Sequence, residues 1–204
     1  MTPTTDPDPE AAETLAQLYD LVATVLADPP DETQVRTFLE EGLPAPAVAP
    51  NDRLSAGLEG LQTWLEGVED PAAEADRLAA EHTRLFVGPR PALQVHESWY
   101  AGDFLGEPLA AVSRTFETLG IEPAADLAEE PDHAAVELAA LRELSRREPD
   151  DPAAKETFLR DHGAWFDELA DDVAETASGP FYPAIADVVA GLVAFDADRR
   201  GVDR

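Results

Sequence analysis

No cysteine occurs among the 204 residues, which excludes disulfide scaffolds, thiolate metal sites and cysteine nucleophiles. No apolar run approaches the ~20 residues that a membrane-spanning helix needs, so no stable membrane insertion is expected. Met1 to Glu10 carries acids and prolines but neither a basic n-region nor an apolar h-region, unlike a secretory signal. The chain therefore reads as soluble and cytoplasmic. Cations are scarce: lysine and arginine total 14 against 43 aspartates and glutamates, a formal charge of −29, and Lys155 is the only lysine. Nucleic acid is bound by neutralising phosphates with Lys and Arg, so a chain of this sign is not expected to take it as a partner. Acid excess with almost no lysine resembles adaptation to molar salt, as in haloarchaeal proteomes, and most of the carboxylates then form a solvated surface. At ~1 M salt the Debye length is only ~3 Å, so any acidic site for a basic partner works by contact.

The motifs of common catalysts are also missing. There is no GxGxxG, GxxxxGK[ST] or HExxH, and Ser98 and Ser113 have no nucleophile-elbow context. What is present is a 44% apolar composition, enough for a real core in one or two compact domains, and a hydrophobic period of 3.6 almost throughout.

Leu15, Leu18, Tyr19, Val22, Val25 and Leu26 share one helix face after an Asp8-Pro9 start. Asp31 opens a short helix that Gly42 closes, and Leu43 to Pro50 is a Pro/Ala-rich loop. Asn51 and the Asp70-Pro71 pair open two further helices, the second broken at Gly88-Pro89. Arg90 to Gly106 holds prolines, glycines and aromatics and reads as an ordered loop with at most one short turn. Helix resumes to Leu119, with Gly120 as its C′ residue. From His133 to Arg147 nearly every face is apolar, which marks a buried central helix. Asp151-Pro152 opens a helix through Phe158, His162, Trp165 and Val173, and Phe181 to Phe195 lines the last. The expectation is an all-α bundle of about eight or nine helices with no sheet. The organisation expected is a tail over residues 1–9, helical subdomains over 10–120 and 132–198, a hinge loop over 121–131, and a tail over 199–204.

Two irregular segments gather the candidate functional residues. Pro131 disfavours helix at Glu130, so Asp132 is expected to cap the following helix and His133 to occupy its first position, where the positive helix end disfavours imidazolium. Phe86, Trp99, Tyr100 and Phe104 flank the first segment and either fill core gaps or line a groove. Glu97, Asp103, Glu130 and Asp132 lie off the solvated helix faces and are the carboxylates available to arginines, which favour bidentate contact. A different chemistry stays open: His133 and Glu137, four apart on one helix face, could hold a metal with Asp132 and His162, as in a helical hydrolase.

Three ordered stretches carry a family resemblance from about Leu78 to Phe195. They are Glu81-His82-Thr83-Arg84-Leu85-Phe86-Val87-Gly88-Pro89 with His96-Glu97-Ser98-Trp99-Tyr100, then Glu130-Pro131-Asp132-His133 with Glu137-Leu138, then Phe158-Leu159, His162 and Trp165-Phe166 followed by Pro180-Phe181-Tyr182. In order and spacing these resemble the TorD/DmsD/NarJ-type redox-enzyme maturation chaperones. The chain departs from that pattern at Ala139-Ala140-Leu141 and at Gln94-Val95-His96. The resemblance implies an all-α chaperone without catalytic turnover or a cofactor of its own. It would bind the twin-arginine leader of a molybdenum-containing oxidoreductase catalytic subunit, of the DMSO reductase family, and hold it back from export until molybdopterin is inserted. It further implies a monomer or a domain-swapped dimer, with contact to the enzyme body as an alternative to the leader. The peptide-binding residues would be Phe86, Glu97, Trp99, Tyr100, Asp103, Phe104, Glu130, Asp132 and His133, in a helix-in-groove mode.

Overall fold

The computed structural model describes residues 9–46, 49–88, 90–122 and 129–204. Among the described residues ten helices follow in chain order: α1 (Pro9–Ala27), α2 (Glu32–Glu41), α3 (Asp52–Glu66), α4 (Pro71–Phe86), α5 (Glu97–Tyr100), α6 (Glu107–Leu119), α7 (Ala134–Arg147), α8 (Pro152–His162), α9 (Trp165–Thr176) and α10 (Phe181–Arg200). Among the described residues there is no strand, only an isolated antiparallel bridge between His96 and His133. None of these helices is long and apolar enough to cross a membrane. The protein is all-α, as its hydrophobic period implies. Two features raise the helix count: the single turn α5, and a break at Gly163 that divides one expected helix into α8 and α9.

Local chemistry sets the helix ends. Asp31 and Gln34 form a reciprocal capping box on α2, and Asn51 accepts from Leu54 N at α3. Asp70 and Asp151 accept from the first turns of α4 and α8, each followed by a proline at the first helical position. Gly120 ends α6 in the left-handed conformation with φ 62°, where a side chain would be strained.

The chain forms two compact units, each drawn from separated stretches. The first comprises the described residues of Met1–Thr24, His96–Trp165 and Ala197–Arg204; the second comprises those of Val25–Val95 and Phe166–Asp196. These are interleaved in sequence, unlike the consecutive subdomains expected over 10–120 and 132–198. Most of the expected hinge, residues 123–128, and most of the expected N-terminal tail, residues 1–8, lie outside the described residues, as does Pro89. Residues 199–204, expected as a tail, finish α10 and then dock. Gly201 turns with φ 64°, Val202 is buried, and Arg204 Nη1 donates to Gly163 O at 3.3 Å.

Within the first unit α7 is the buried centre: Val136, Leu138, Leu141 and Leu144 are at most 2% exposed. It packs on α8, and α6 packs on α5 and α8. The sole lysine lies inside this unit. Lys155 Nζ donates to Ser145 Oγ at 2.7 Å and to Glu148 Oε2 at 3.1 Å, and Arg199 and Arg200 bind the same carboxylate. Within the second unit α3 and α10 meet at glycines. A Cβ on Gly191 would lie 2.5 Å from Leu54 N, and one on Gly57 2.7 Å from Val188 N. Arg53 of α3 binds Asp167, Asp171 and Asp187.

Candidate peptide-binding site

The site residues of the first unit are built around α5, a four-residue turn with almost no stability of its own. Its position comes from polar contacts across the chain. Glu97 N–H donates to Asp132 O at 2.9 Å, and Ser98 N–H donates to Asp132 Oδ2 at 3.2 Å. The fully buried Ser98 hydroxyl accepts from Leu105 N at 3.0 Å, and Ser98 O accepts from Asp103 N at 3.1 Å. Asp103 Oδ2 accepts in turn from Glu107 N at 3.0 Å and so starts α6.

This scaffold turns three large apolar side chains outward. Trp99 is 51% exposed, Phe104 44% and Leu105 49%. The two aromatic rings are propped edge to face in a series: Trp99 on Phe104 at 5.8 Å, Phe104 on His96 at 5.5 Å, and His96 on His133 at 5.2 Å. Leu105 is held with φ 57°, a left-handed conformation that costs a non-glycine residue ~1 kcal/mol. Exposed apolar surface and a strained residue coincide here, and both are features of interaction sites rather than of ordinary loops.

The expected capping of α7 is corrected. His133, not Asp132, is the N-cap: its Nδ1 accepts from Ala135 N at 3.2 Å. The reason is the bridge to His96, which holds His133 in extended backbone (φ −75°, ψ 138°) and delays the helix to Ala134. Because Nδ1 accepts, a neutral His133 carries its proton on Nε2. Asp132 is fully buried and spends its carboxylate on α5 instead, while its Oδ1 meets no donor.

Beneath α5 lie two sets of polar contacts, one around the buried His162 and one at the buried Glu137. Thr115 Oγ1 lies 2.9 Å from His162 Nε2, His162 Nδ1 lies 2.9 Å from Glu97 Oε2, and Trp165 Nε1 donates to Glu137 Oε2 at 3.0 Å. Burial, then the Glu97 charge, pushes the Glu137 carboxyl well above the usual carboxylate range; the Trp165 N–H opposes this and the Asp132 charge adds to it.

The sequence candidates thus fall into distinct places. Trp99 and Phe104 form the exposed face, with Tyr100 half-buried against Trp165 at 5.4 Å. Glu97, Asp103 and Asp132 are engaged inside the scaffold, and Glu130 is exposed. Phe86 belongs to the second unit, where its ring meets His82 at 5.2 Å and Tyr182 at 5.4 Å. The metal set of His133, Glu137 and His162 is not assembled. Each has the partners just described, and no group of three metal-binding side chains occurs among the described residues. Ser98, Leu105 and Thr115 were not singled out by their sequence context. Gly102 and Gly106, which follow α5 and bracket Leu105, are the sequence signal that could have marked this backbone as unusual.

The fold is that of an all-helical redox-enzyme maturation protein. A solved structure so described, from Archaeoglobus fulgidus, matches with a TM-score of 0.55 at 19% identity, covering 89% of this chain and 94% of that one. No curated protein sequence matches the chain. The sequence model of the family described as nitrate reductase delta subunit matches residues 51–171, more than half of the chain. The protein belongs to that family, the NarJ/TorD-type chaperones, which are assembly factors for molybdoenzymes and not catalysts. The matched span contains α5 and the Glu130-Pro131-Asp132-His133 turn, and with them the exposed face.

Proposed function

We propose that this chaperone binds, in the cytoplasm, the twin-arginine leader of a molybdenum-containing oxidoreductase of the DMSO reductase family and retains it until its cofactor is inserted. The observation that supports this reading is the outward face of Trp99, Phe104 and Leu105, fixed on polar supports where ordinary core packing would bury it. The leader's apolar segment would cover this face by burial of nonpolar area, an attraction that molar kosmotropic salt strengthens. Glu97, Asp103 and Asp132 already have internal partners, which leaves Glu130 as the candidate carboxylate for a leader arginine. The protein would act as a monomer or as a dimer swapped about residues 121–131.

Titration calorimetry in concentrated KCl tests the reading, using a synthetic leader from the molybdoenzyme encoded nearest to this chain. Saturable binding that Trp99→Ala weakens is the expected result. Undiminished binding of the enzyme body lacking its leader, with none of the peptide, would assign the contact to the body instead.

A further inference from the structure

His162 ends α8, is only 4% exposed, and has both ring nitrogens engaged. Its two partners stand on either side, in sequence, of the segment that displays Phe104 and Leu105. Nδ1 lies 2.9 Å from Glu97 Oε2 on α5, ahead of that segment. Nε2 lies 2.9 Å from Thr115 Oγ1 on α6, which follows it. A carboxylate oxygen accepts, so Nδ1–H donates to Glu97. Nε2 of a neutral ring then accepts from the Thr115 hydroxyl, and Nε2–H of a charged ring donates to it; a hydroxyl serves both forms. The imidazole is rigid and rests against Phe158 at 5.1 Å, so its two bonds set the separation of α5 and α6.

We propose that His162 is a positioning residue for the partner-binding face: by holding Glu97 and Thr115 it fixes α5 against α6 and keeps Trp99, Phe104 and Leu105 in their outward pose. The second half of the inference, that this pose governs partner affinity, rests on the leader-binding reading given above. The other ties around the segment do different work. Ser98 Oγ to Leu105 N and Asp103 Oδ2 to Glu107 N close within seven residues of chain, so they shape the segment without reaching α8. Asp132 holds the first amides of α5 to the start of α7 and leaves α6 untouched. A turn of four residues has little stability of its own, so without the imidazole α5 and α6 can part. Leu105 then relaxes from its left-handed conformation, worth ~1 kcal/mol, and its side chain turns away.

Hydrogen–deuterium exchange of the full chain in concentrated KCl, without any peptide, reads the pose over residues 97–107, with α3 of the second unit as reference. Thr115→Val keeps the side-chain shape and removes the hydroxyl, whereas Thr115→Ser keeps the hydroxyl. His162→Phe keeps a ring against Phe158 and removes both nitrogens. Exchange over 97–107 should rise about tenfold in Thr115→Val and at least as much in His162→Phe, the scale of one lost hydrogen bond. It should stay at the wild-type rate in Thr115→Ser, and α3 should not change in any variant. Wild-type exchange in Thr115→Val and His162→Phe, a Thr115→Ser variant as fast as Thr115→Val, or an equal rise in α3 would overturn the positioning role. A synthetic peptide of two adjacent arginines and an apolar segment is then bound by calorimetry in the same salt. Affinity should fall about tenfold in Thr115→Val and return in Thr115→Ser. Equal affinity in every variant, with the local exchange rise present, would overturn the link between pose and affinity and leave the leader reading standing. Absence of binding even by wild type, with that rise present, would remove the leader reading and leave the positioning role.

Discussion

The carboxylate of Asp132 receives the backbone N–H of Ser98 at 3.2 Å, across 34 residues of chain. Together with the bond from Glu97 N–H to the Asp132 carbonyl, it satisfies two amide donors at the open end of α5. An aspartate placed to cap its own helix therefore caps a different one, and the exposed aromatic face depends on it.

Asp132→Ala should leave the buried Ser98 N–H without an acceptor, at a cost of about 1–3 kcal/mol. Asp132→Asn keeps an acceptor oxygen and removes a charge from beside Glu137, so it should fold with stability near wild type. Denaturant unfolding in high salt compares the two. Equal losses in both variants would mean that the charge, and not the hydrogen bond, anchors α5.

Trp99→Ala should leave the melting temperature almost unchanged, since surface substitutions of this kind typically stay within ~0.5 kcal/mol. The same variant should weaken leader binding by about 1–2 kcal/mol, the scale of an aromatic anchor. Thermal melts and calorimetry on one preparation decide it. A large drop in stability would show that the ring is a core element.

Glu148 carries a pH dependence of known sign. Burial alone would raise its pKa, but the Arg199 hydrogen bond and the charges of Lys155, Arg199 and Arg200 bring it down to about 2. A depressed folded-state value contributes stability that is present above the unfolded pKa, about 4.5, and is lost as pH falls toward about 2. Glu148→Gln, which removes a buried carboxylate shared by three cations, should cost about 3 kcal/mol at neutral pH. Its deficit against wild type should shrink across that acid window, as read by urea melts at a series of pH values.

Lys155, the only lysine, is fully buried. An amine-reactive reagent should therefore leave Lys155 unmodified in the folded protein and label it in denaturant, as followed by peptide mass spectrometry. Rapid native labelling would contradict the buried contacts with Ser145 and Glu148.

Gly57→Ala and Gly191→Ala should each destabilise the protein by about 1–3 kcal/mol. The added Cβ meets backbone of the facing helix, Val188 N or Leu54 N, which cannot move aside as a flexible side chain would. A melting temperature equal to wild type in either variant would show that α3 and α10 can separate freely.

Helix existence and most helix ends were legible in the sequence because both are local. A 3.6-residue period, capping residues at Asp31, Asn51, Asp70 and Asp151, and the left-handed glycine at position 120 act within one or two turns. The buried character of α7 was legible for the same reason. Where the carboxylates point was not. Asp132, Glu97 and Asp103 look alike as acids in irregular segments, and nothing within a few residues says that the first reaches Ser98, the second His162 and the third Glu107.

By itself, the sequence determined an acidic, cysteine-free, all-helical chain and, through ordered motifs, its family. Period, caps and composition are properties of neighbouring residues and survive without a fold. Tertiary structure alone decided that the two irregular segments meet at the His96–His133 bridge, that Glu97 reaches His162 and the buried Glu137 receives Trp165, and that Trp99, Phe104 and Leu105 face outward. Those outcomes depend on which donors and charges are brought together from distant stretches, and desolvation gives such contacts their strength only once the chain has closed around them.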